Sequence, residues 1–211
     1  MSAAYPLVLG LTGRLCVVVG GGSVATRKIV GLTRAGADVL VVAPEVTPEI
    51  EGVGQAGGAR IERRPFDPSD LNGALLASAA TDNRDINQTV AEAARERHVL
   101  VNVADDPSAC DFTVPALVRR RDITLAISTG GRSPAFARYL REQLEEWLTD
   151  ARCDLLELLA ELRRDLRAAG KTIDTADWHR AIADEAVGAA IEAGDREGAR
   201  RRLFDSLMAG Q

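Results

Sequence analysis

The sequence predicts an α/β protein: a doubly wound parallel sheet, then a small α+β segment, then a helical domain. Three observations predict it. Short apolar runs alternate with helical stretches as far as Val103. Two strands then follow with no room between them for a crossover helix, so they pair antiparallel and outside the first sheet. From Ala151 the chain reads only as helix. The expected divisions are residues 1–111, 112–150 and 151–211.

The first element is the most informative. Leu15 to Val19 is a β-branched run suited to a strand covered on both faces. Gly20, Gly22 and Ala25 fit G-x-G-x-x-A, with Gly21 as an extra glycine. The first glycine permits a tight turn, and the next lets a backbone approach a pyrophosphate. Ala25 keeps the following helix close to the sheet, and that helix offers free N–H groups at its start. Ala25, Ile29 and Leu32 recur at helical spacing, and Gly36 is placed to stop the helix. With its strand, its helix and a second strand (Asp38 to Ala43), the turn reads as the nucleotide-binding unit of a Rossmann domain. Gly20, Gly21, Gly22, Ser23 and Val24 are its candidate cofactor contacts. The alternative is a domain whose glycines serve only packing.

The second strand ends in Ala43-Pro44-Glu45 rather than in an acidic residue. Glu45 can hold ribose hydroxyls from just beyond the strand, and no arginine stands beside it to receive a 2′-phosphate. NAD is therefore favoured over NADP.

The sheet continues after a crossover of modest helical character. Arg60 to Arg64 is a third strand and Leu75 to Ala80 a fourth, ending in Ala80-Thr81-Asp82-Asn83. A helix from about Arg84 to Arg97 carries Ile86, Val90 and Ala94 on one face. His98 to Val103 is a fifth strand, closing at Ala104-Asp105-Asp106-Pro107. In parallel doubly wound sheets, ligands bind beyond the C-terminal strand ends. The glycine turn, Thr81 to Asn83 and Ala104 to Pro107 should therefore converge on one crevice. Thr81 and Asn102 enter as cofactor contacts from strand-end geometry alone.

Phe112 to Val118 and Ile123 to Ser128 are the two further strands, joined by a turn of Arg119, Arg120 and Arg121. Thr129-Gly130-Gly131-Arg132 follows. Ser133 and Pro134 then open a helix as N-cap and N1, running to about Leu148 with Phe136, Leu140, Leu144 and Trp147 on its apolar face. In the tail, Leu155, Leu159, Leu162 and Leu166 form a stripe that Gly170 breaks. Two more amphipathic helices follow, one with Trp178 and Ile182, one with Leu203 and Leu207.

Composition narrows the class. The chain has 211 residues, 46% hydrophobic and 27% charged, which suits a globular protein of one large or two small domains. A net charge of −5 argues against general nucleic-acid binding. No apolar run reaches the roughly 20 residues of a membrane span. The N-terminal MSAAYPLVLG lacks the pattern of a secretory signal, so a cytoplasmic protein is expected. Cys16, Cys110 and Cys153 lack metal-ligand spacing and read as free thiols. His98 and His179 have no catalytic neighbour in sequence.

Five segments, GGGSVA, AATDN, NVADDP, FTVPA and STGGRSP, occur in this order and at suitable spacing. Together they resemble the precorrin-2 dehydrogenase / sirohydrochlorin ferrochelatase family, which includes the dehydrogenase half of siroheme synthase. The resemblance covers roughly residues 5–150 strongly and the tail only in character. It implies oxidation of precorrin-2, a tetrapyrrole with eight carboxylates, to sirohydrochlorin with NAD. In some members Fe2+ is then inserted as a substrate, giving siroheme. It also implies a homodimer held by the central segment.

The family's key aspartate carries over to Asp105, as base or ring-orienting group. Which of Asp105 and Asp106 faces the cleft stays open in the sequence. Cofactor contacts carry over to Ser23, Val24, Pro44 and Glu45. The family's serine in the S-x-G-G segment aligns with Thr129. Thr129, Gly130, Gly131, Arg132 and Ser133 are expected to receive substrate carboxylates, with Arg120 and Arg138 as further partners, since arginine pairs bidentately with carboxylate. The methyltransferase half of siroheme synthase has no counterpart here, so a separate enzyme is expected to supply precorrin-2. Chelatase activity remains an open alternative, and a non-catalytic NAD- or tetrapyrrole-sensing module is the rival from another class.

Overall fold

The computed structural model describes residues 5–209. Residues 1–4 and 210–211, and with them part of the N-terminal reading, lie outside the described residues. The chain divides into two compact units, one as far as Val114 and the other from Pro115.

The first unit is a five-stranded sheet in the order β3-β2-β1-β4-β5, with every pair parallel. Its strands are β1 (Leu15–Val19), β2 (Asp38–Val42), β3 (Arg60–Glu62), β4 (Leu76–Ala79) and β5 (Leu100–Val103). Helices α1 (Ser23–Arg34), α2 (Pro48–Gln55) and α3 (Arg84–Glu96) connect them.

Strand periodicity explains the two-sided core. Val18, Val39 and Val41 point one way, onto Ala25 and Ile29 of α1 and Ile50 of α2. Val17, Val19, Leu40 and Val42 point the other way, onto Val90 and Ala94 of α3. Each fully buried valine contributes about 1.5–3 kcal/mol of transfer free energy, and there is no solvent face to reward alternation with polar residues. Strand order reverses between β1 and β4, which opens a crevice at their C-terminal ends.

Two sequence expectations shift in this unit. β5 begins at Leu100 rather than His98, because His98 takes a left-handed turn (φ 55°) that closes α3 and sends Val99 N–H to the Ala94 carbonyl. On α3, Ile86 is exposed, and Asn87 occupies a buried place instead. Gly36, with φ 75°, follows the end of α1 as anticipated.

The second unit begins with an antiparallel pair, β6 (Ala116–Arg120) and β7 (Ile123–Ile127). β6 starts later than expected. Pro115 has no N–H to give a ladder, so Phe112 to Pro115 stays outside it. Arg119 and Arg120 are therefore strand residues, and the turn is Arg121-Asp122, with Arg121 left-handed at φ 46°.

The helices are α4 (Pro134–Trp147), α5 (Asp150–Ala168), α6 (Thr175–Ile182), α7 (Glu185–Glu192) and α8 (Arg196–Met208). Three helices thus follow α5, not two. α7 has only eight residues and depends on Asp184, whose carboxylate accepts from Ala186 N–H at 2.9 Å. Leu158, Leu162 and Leu166 of α5 join Ala181, Val187, Ile191, Leu203 and Leu207 in a separate core.

Candidate functional site

The glycine turn joins three strand ends at the crevice. Gly20 (φ 124°) sits so close to β4 that an added Cβ would run into the Ala80 carbonyl, 2.6 Å from its carbon. A Cβ on Gly21 would run into the Glu45 carbonyl and lie 2.9 Å from Val46 Cα. Thr47 N–H, just beyond, donates to the Gly21 carbonyl at 2.9 Å. Gly22 differs from both: a Cβ there would meet nothing within 4 Å. Gly20 and Gly21 thus exist for the fold, while Gly22 keeps a surface open.

Gly22 is also the N-cap of α1. No side chain caps that helix, and no acid stands in its first turn. Its leading N–H groups and positive dipole end are left to a ligand anion. An uncapped helix start beside an open glycine fits a dinucleotide pyrophosphate. Pro44 and Glu45 are exposed at the end of β2.

On the β4–β5 side, a cleft of about 650 Å³ is bordered by Thr81, Arg84, Asp85, Asp105 and Asp106. Thr81 is held by its surroundings: its hydroxyl reaches Asn87 Oδ1 at 2.8 Å, and Asn87 Nδ2 donates to the Thr81 carbonyl at 2.9 Å. Asn83 caps α3 by accepting from Asp85 and Ile86 N–H groups at 2.9 and 3.3 Å.

The adjacent aspartates separate by geometry. Asp106 is the structural one. Its Oδ1 accepts from Ser108 Oγ at 2.6 Å and from the N–H groups of Ser108 and Ala109 at 3.1 and 3.3 Å. The Ser108 hydroxyl above all, with those backbone donors, holds the Asp106 carboxyl below the usual carboxylate range. Asp105 is exposed in the cleft, and its carboxylate makes no hydrogen bond or ion pair among the described residues. Its backbone is left-handed, with φ 59°. Such a conformation in a non-glycine residue costs of order 1–3 kcal/mol and persists where its surroundings enforce it.

Cys110 supplies part of that enforcement, and nothing in the sequence signals it. Its Sγ accepts from Val103 N–H at 3.2 Å and lies 3.3 and 3.2 Å from the carbonyls of Val103 and Asp106. The thiol therefore bridges the two ends of the segment that presents Asp105. Asn102, expected to face the cofactor, is buried instead. Its Nδ2 donates to the Phe112 carbonyl at 2.9 Å, and its Oδ1 accepts from Lys28 of α1. Burial pushes the Lys28 ammonium pKa down.

In the second unit, Gly130 and Gly131 are left-handed (φ 61° and 75°), and the hydroxyls around them are occupied. Thr129 Oγ1 donates to the Ser133 carbonyl at 3.2 Å, and Ser133 Oγ accepts from Phe136 N–H at 3.1 Å. Arg120 is paired with Asp150 at 3.1 Å. Arg132 and Arg138 are exposed and make no ion pair among the described residues. The described residues contain no group of metal-ligating side chains, and none of their helices is long and apolar enough to cross a membrane.

Comparisons with known proteins agree with this geometry. Residues 7–116 match the family described as putative NAD(P)-binding, and residues 120–146 match the sirohaem biosynthesis protein central family. The siroheme synthase of Methylobacillus flagellatus is 35% identical over 206 residues, covering 96% of this chain and 44% of that protein. Siroheme synthase 1 of Pectobacterium atrosepticum is 37% identical over 205 residues, covering 96% and 42%. The chain thus spans less than half the length of these curated relatives. Among solved structures, the precorrin-2 dehydrogenase SirC superposes with a TM-score of 0.74 at 27% identity, covering 98% of this chain and all of that one. With the glycine turn and the uncapped helix in place, the chain belongs to the putative NAD(P)-binding family.

Proposed function

We propose that this chain oxidises precorrin-2 to sirohydrochlorin with NAD as hydride acceptor. The observation that carries the reading is an end-to-end likeness to a precorrin-2 dehydrogenase, together with a free aspartate held in strain just after β5 and an open glycine turn after β1. The nicotinamide supplies the hydride-accepting chemistry. Asp105 takes the proton lost from the macrocycle, so that hydride and proton together account for the two hydrogens removed. Asp106 and Cys110 hold its loop. The Gly20–Gly22 turn with Ser23 and Val24 receives the pyrophosphate, Pro44 and Glu45 border the ribose, and Thr81 lines the opposite wall.

Carboxylates of the substrate are received in the second unit by Gly130, Gly131, Arg132 and Arg138. Thr129 and Ser133 shape that turn through their internal bonds. The protein acts in a reducing cytoplasm, which suits its three unpaired cysteines. It works as a homodimer. α4 contains no buried residue, while Phe136, Tyr139 and Trp147 on it are each about half exposed, and the rings of Phe136 and Tyr139 stack at 6.1 Å. An exposed apolar helix face of this kind calls for a second copy.

Anaerobic turnover of freshly made precorrin-2 with NAD, followed by sirohydrochlorin absorbance, tests the reading. NAD-dependent product above the enzyme-free rate is expected. A rate equal to the enzyme-free control would leave a binding module and no dehydrogenase. Ferrous iron added afterwards reports chelation directly: accelerated siroheme formation would make the enzyme bifunctional.

A further inference from the structure

The helical unit contains a groove whose chemistry the dehydrogenase site does not use. It lies between α5, the turn after it and α6, with a volume of about 560 Å³. That is within the range of small-molecule sites. Its walls are apolar: Leu159, Leu166, Ile173 and Trp178 line it, with Leu156 and Ile182 left 39% and 43% exposed at its surface.

Its charge is of one sign. Arg163, Arg167 and Lys171 border the groove, and no carboxylate does. This is unusual in a chain of net charge −5. The rest of α5 shows the contrast. Glu161 and Asp165 pair with Arg196 and Arg200 of α8, at 2.8 and 2.5 Å. Arg163 and Arg167, one turn apart on the groove side, make no ion pair among the described residues. Lys171 faces the ring of Phe204 at 5.9 Å and the sulfur of Met208 at 3.1 Å, again with no anion. An apolar trough with an indole in its wall and unneutralised guanidinium groups one helical turn apart is complementary to a flat apolar body with several carboxylates on its edge.

We infer that this groove is a binding surface for the carboxylate-bearing macrocycle, built by the helical unit from its own residues. The ligand class rests on the proposed reaction, and the site rests on the groove itself. Arg163 and Arg167 take neighbouring carboxylates, and Trp178 lies against the ring system.

Uroporphyrin, a stable octacarboxylate porphyrin, is a suitable probe. The chain has two tryptophans, so Trp147→Phe leaves Trp178 as the sole indole reporter. Saturable quenching of that emission is expected. Quenching should weaken about tenfold in Arg163→Gln/Arg167→Gln, as two partly exposed ion pairs would give, and further in the double Glu variant. Circular dichroism is the check that these surface variants fold. Quenching unchanged by either pair of substitutions, or matched by dodecanoate at equal concentration, overturns the inference. A protein that oxidises precorrin-2 without charge-sensitive quenching refutes the groove and leaves the reaction standing. Charge-sensitive quenching without turnover does the reverse.

Discussion

Three successive glycines should respond to substitution in three different ways. Gly20→Ala places a Cβ against the Ala80 carbonyl and holds an L-residue at φ 124°. Overpacking against backbone costs about 1–3 kcal/mol, and the disfavoured φ adds about 1–3 kcal/mol, for about 2–6 kcal/mol together. Gly21→Ala meets the Glu45 carbonyl and Val46 Cα but carries no φ penalty, so its loss is the first of these alone. Gly22→Ala meets nothing, and its backbone at φ −87° suits any residue, so only the poorer N-cap counts and stability should fall by about 0.5–1 kcal/mol. If the proposed pyrophosphate site is right, its methyl stands in the way of the cofactor, and NAD affinity should fall at least about tenfold, or about 1.4 kcal/mol. Gly22→Asp, adding charge to bulk, should abolish binding. Thermal melts at about 2–4 °C per kcal/mol would rank the first two, and calorimetric titration with NAD would score the third. If Gly22→Ala melted as low as Gly21→Ala, or bound NAD at wild-type strength, the division between packing and ligand glycines would be wrong.

Four further outcomes follow from the structure. Asp105→Ala should abolish precorrin-2 oxidation while calorimetry shows unchanged NAD binding. Asp106→Ala should lower turnover by loosening the loop, with Asp105 still present, and equal loss of NAD affinity in both variants would place the loop elsewhere. Phe136→Glu or Tyr139→Glu should shift the protein from dimer to monomer in light scattering, and an unchanged mass would remove α4 from the interface. Asp70 is buried, and Arg64, donating at 2.9 and 2.6 Å, holds its carboxyl below the usual range. A depressed carboxylate contributes stability above its ordinary pKa, about 3.9, and loses it as pH falls through the lowered value. Melts of the wild type from about pH 5 to 2 should therefore fall more steeply than those of Arg64→Gln; parallel curves would show the pair to be idle.

Much of the first unit was legible because its signals are local. A β-branched run, three glycines and a 3.6-residue stripe each specify their element without help from distant residues, and β1, α1 and Gly36 stand where those signals put them. The losses occur where a distant partner decides. Asn102 looked like a strand-end ligand contact, but Lys28, 74 residues away on α1, turns it inward. The arginine run looked like a turn until Pro115 is weighed as a missing donor that delays the strand. α7 was missed because its sequence EAVGAAIE is mostly small residues and offers only Val187 and Ile191 as a stripe, and its Asp184 cap was the readable cue.

The aspartate pair shows what tertiary structure adds to a motif. In sequence, Asp105 and Asp106 are interchangeable carboxylates before a proline. In space, the proline starts a short turn whose N–H groups need an acceptor, and only the residue directly before it can supply one. That commits Asp106 to the cap, as its bonds to Ser108 and Ala109 show. The preceding residue is then left to face the cleft from a left-handed backbone, with the Cys110 thiol bridging the segment on either side of it. One carboxylate is thereby bound to structure so that its neighbour can be free for chemistry. The assignment of Asp105 as the proton acceptor consequently rests on what Asp106 is doing, and the two alanine variants test both halves of that argument.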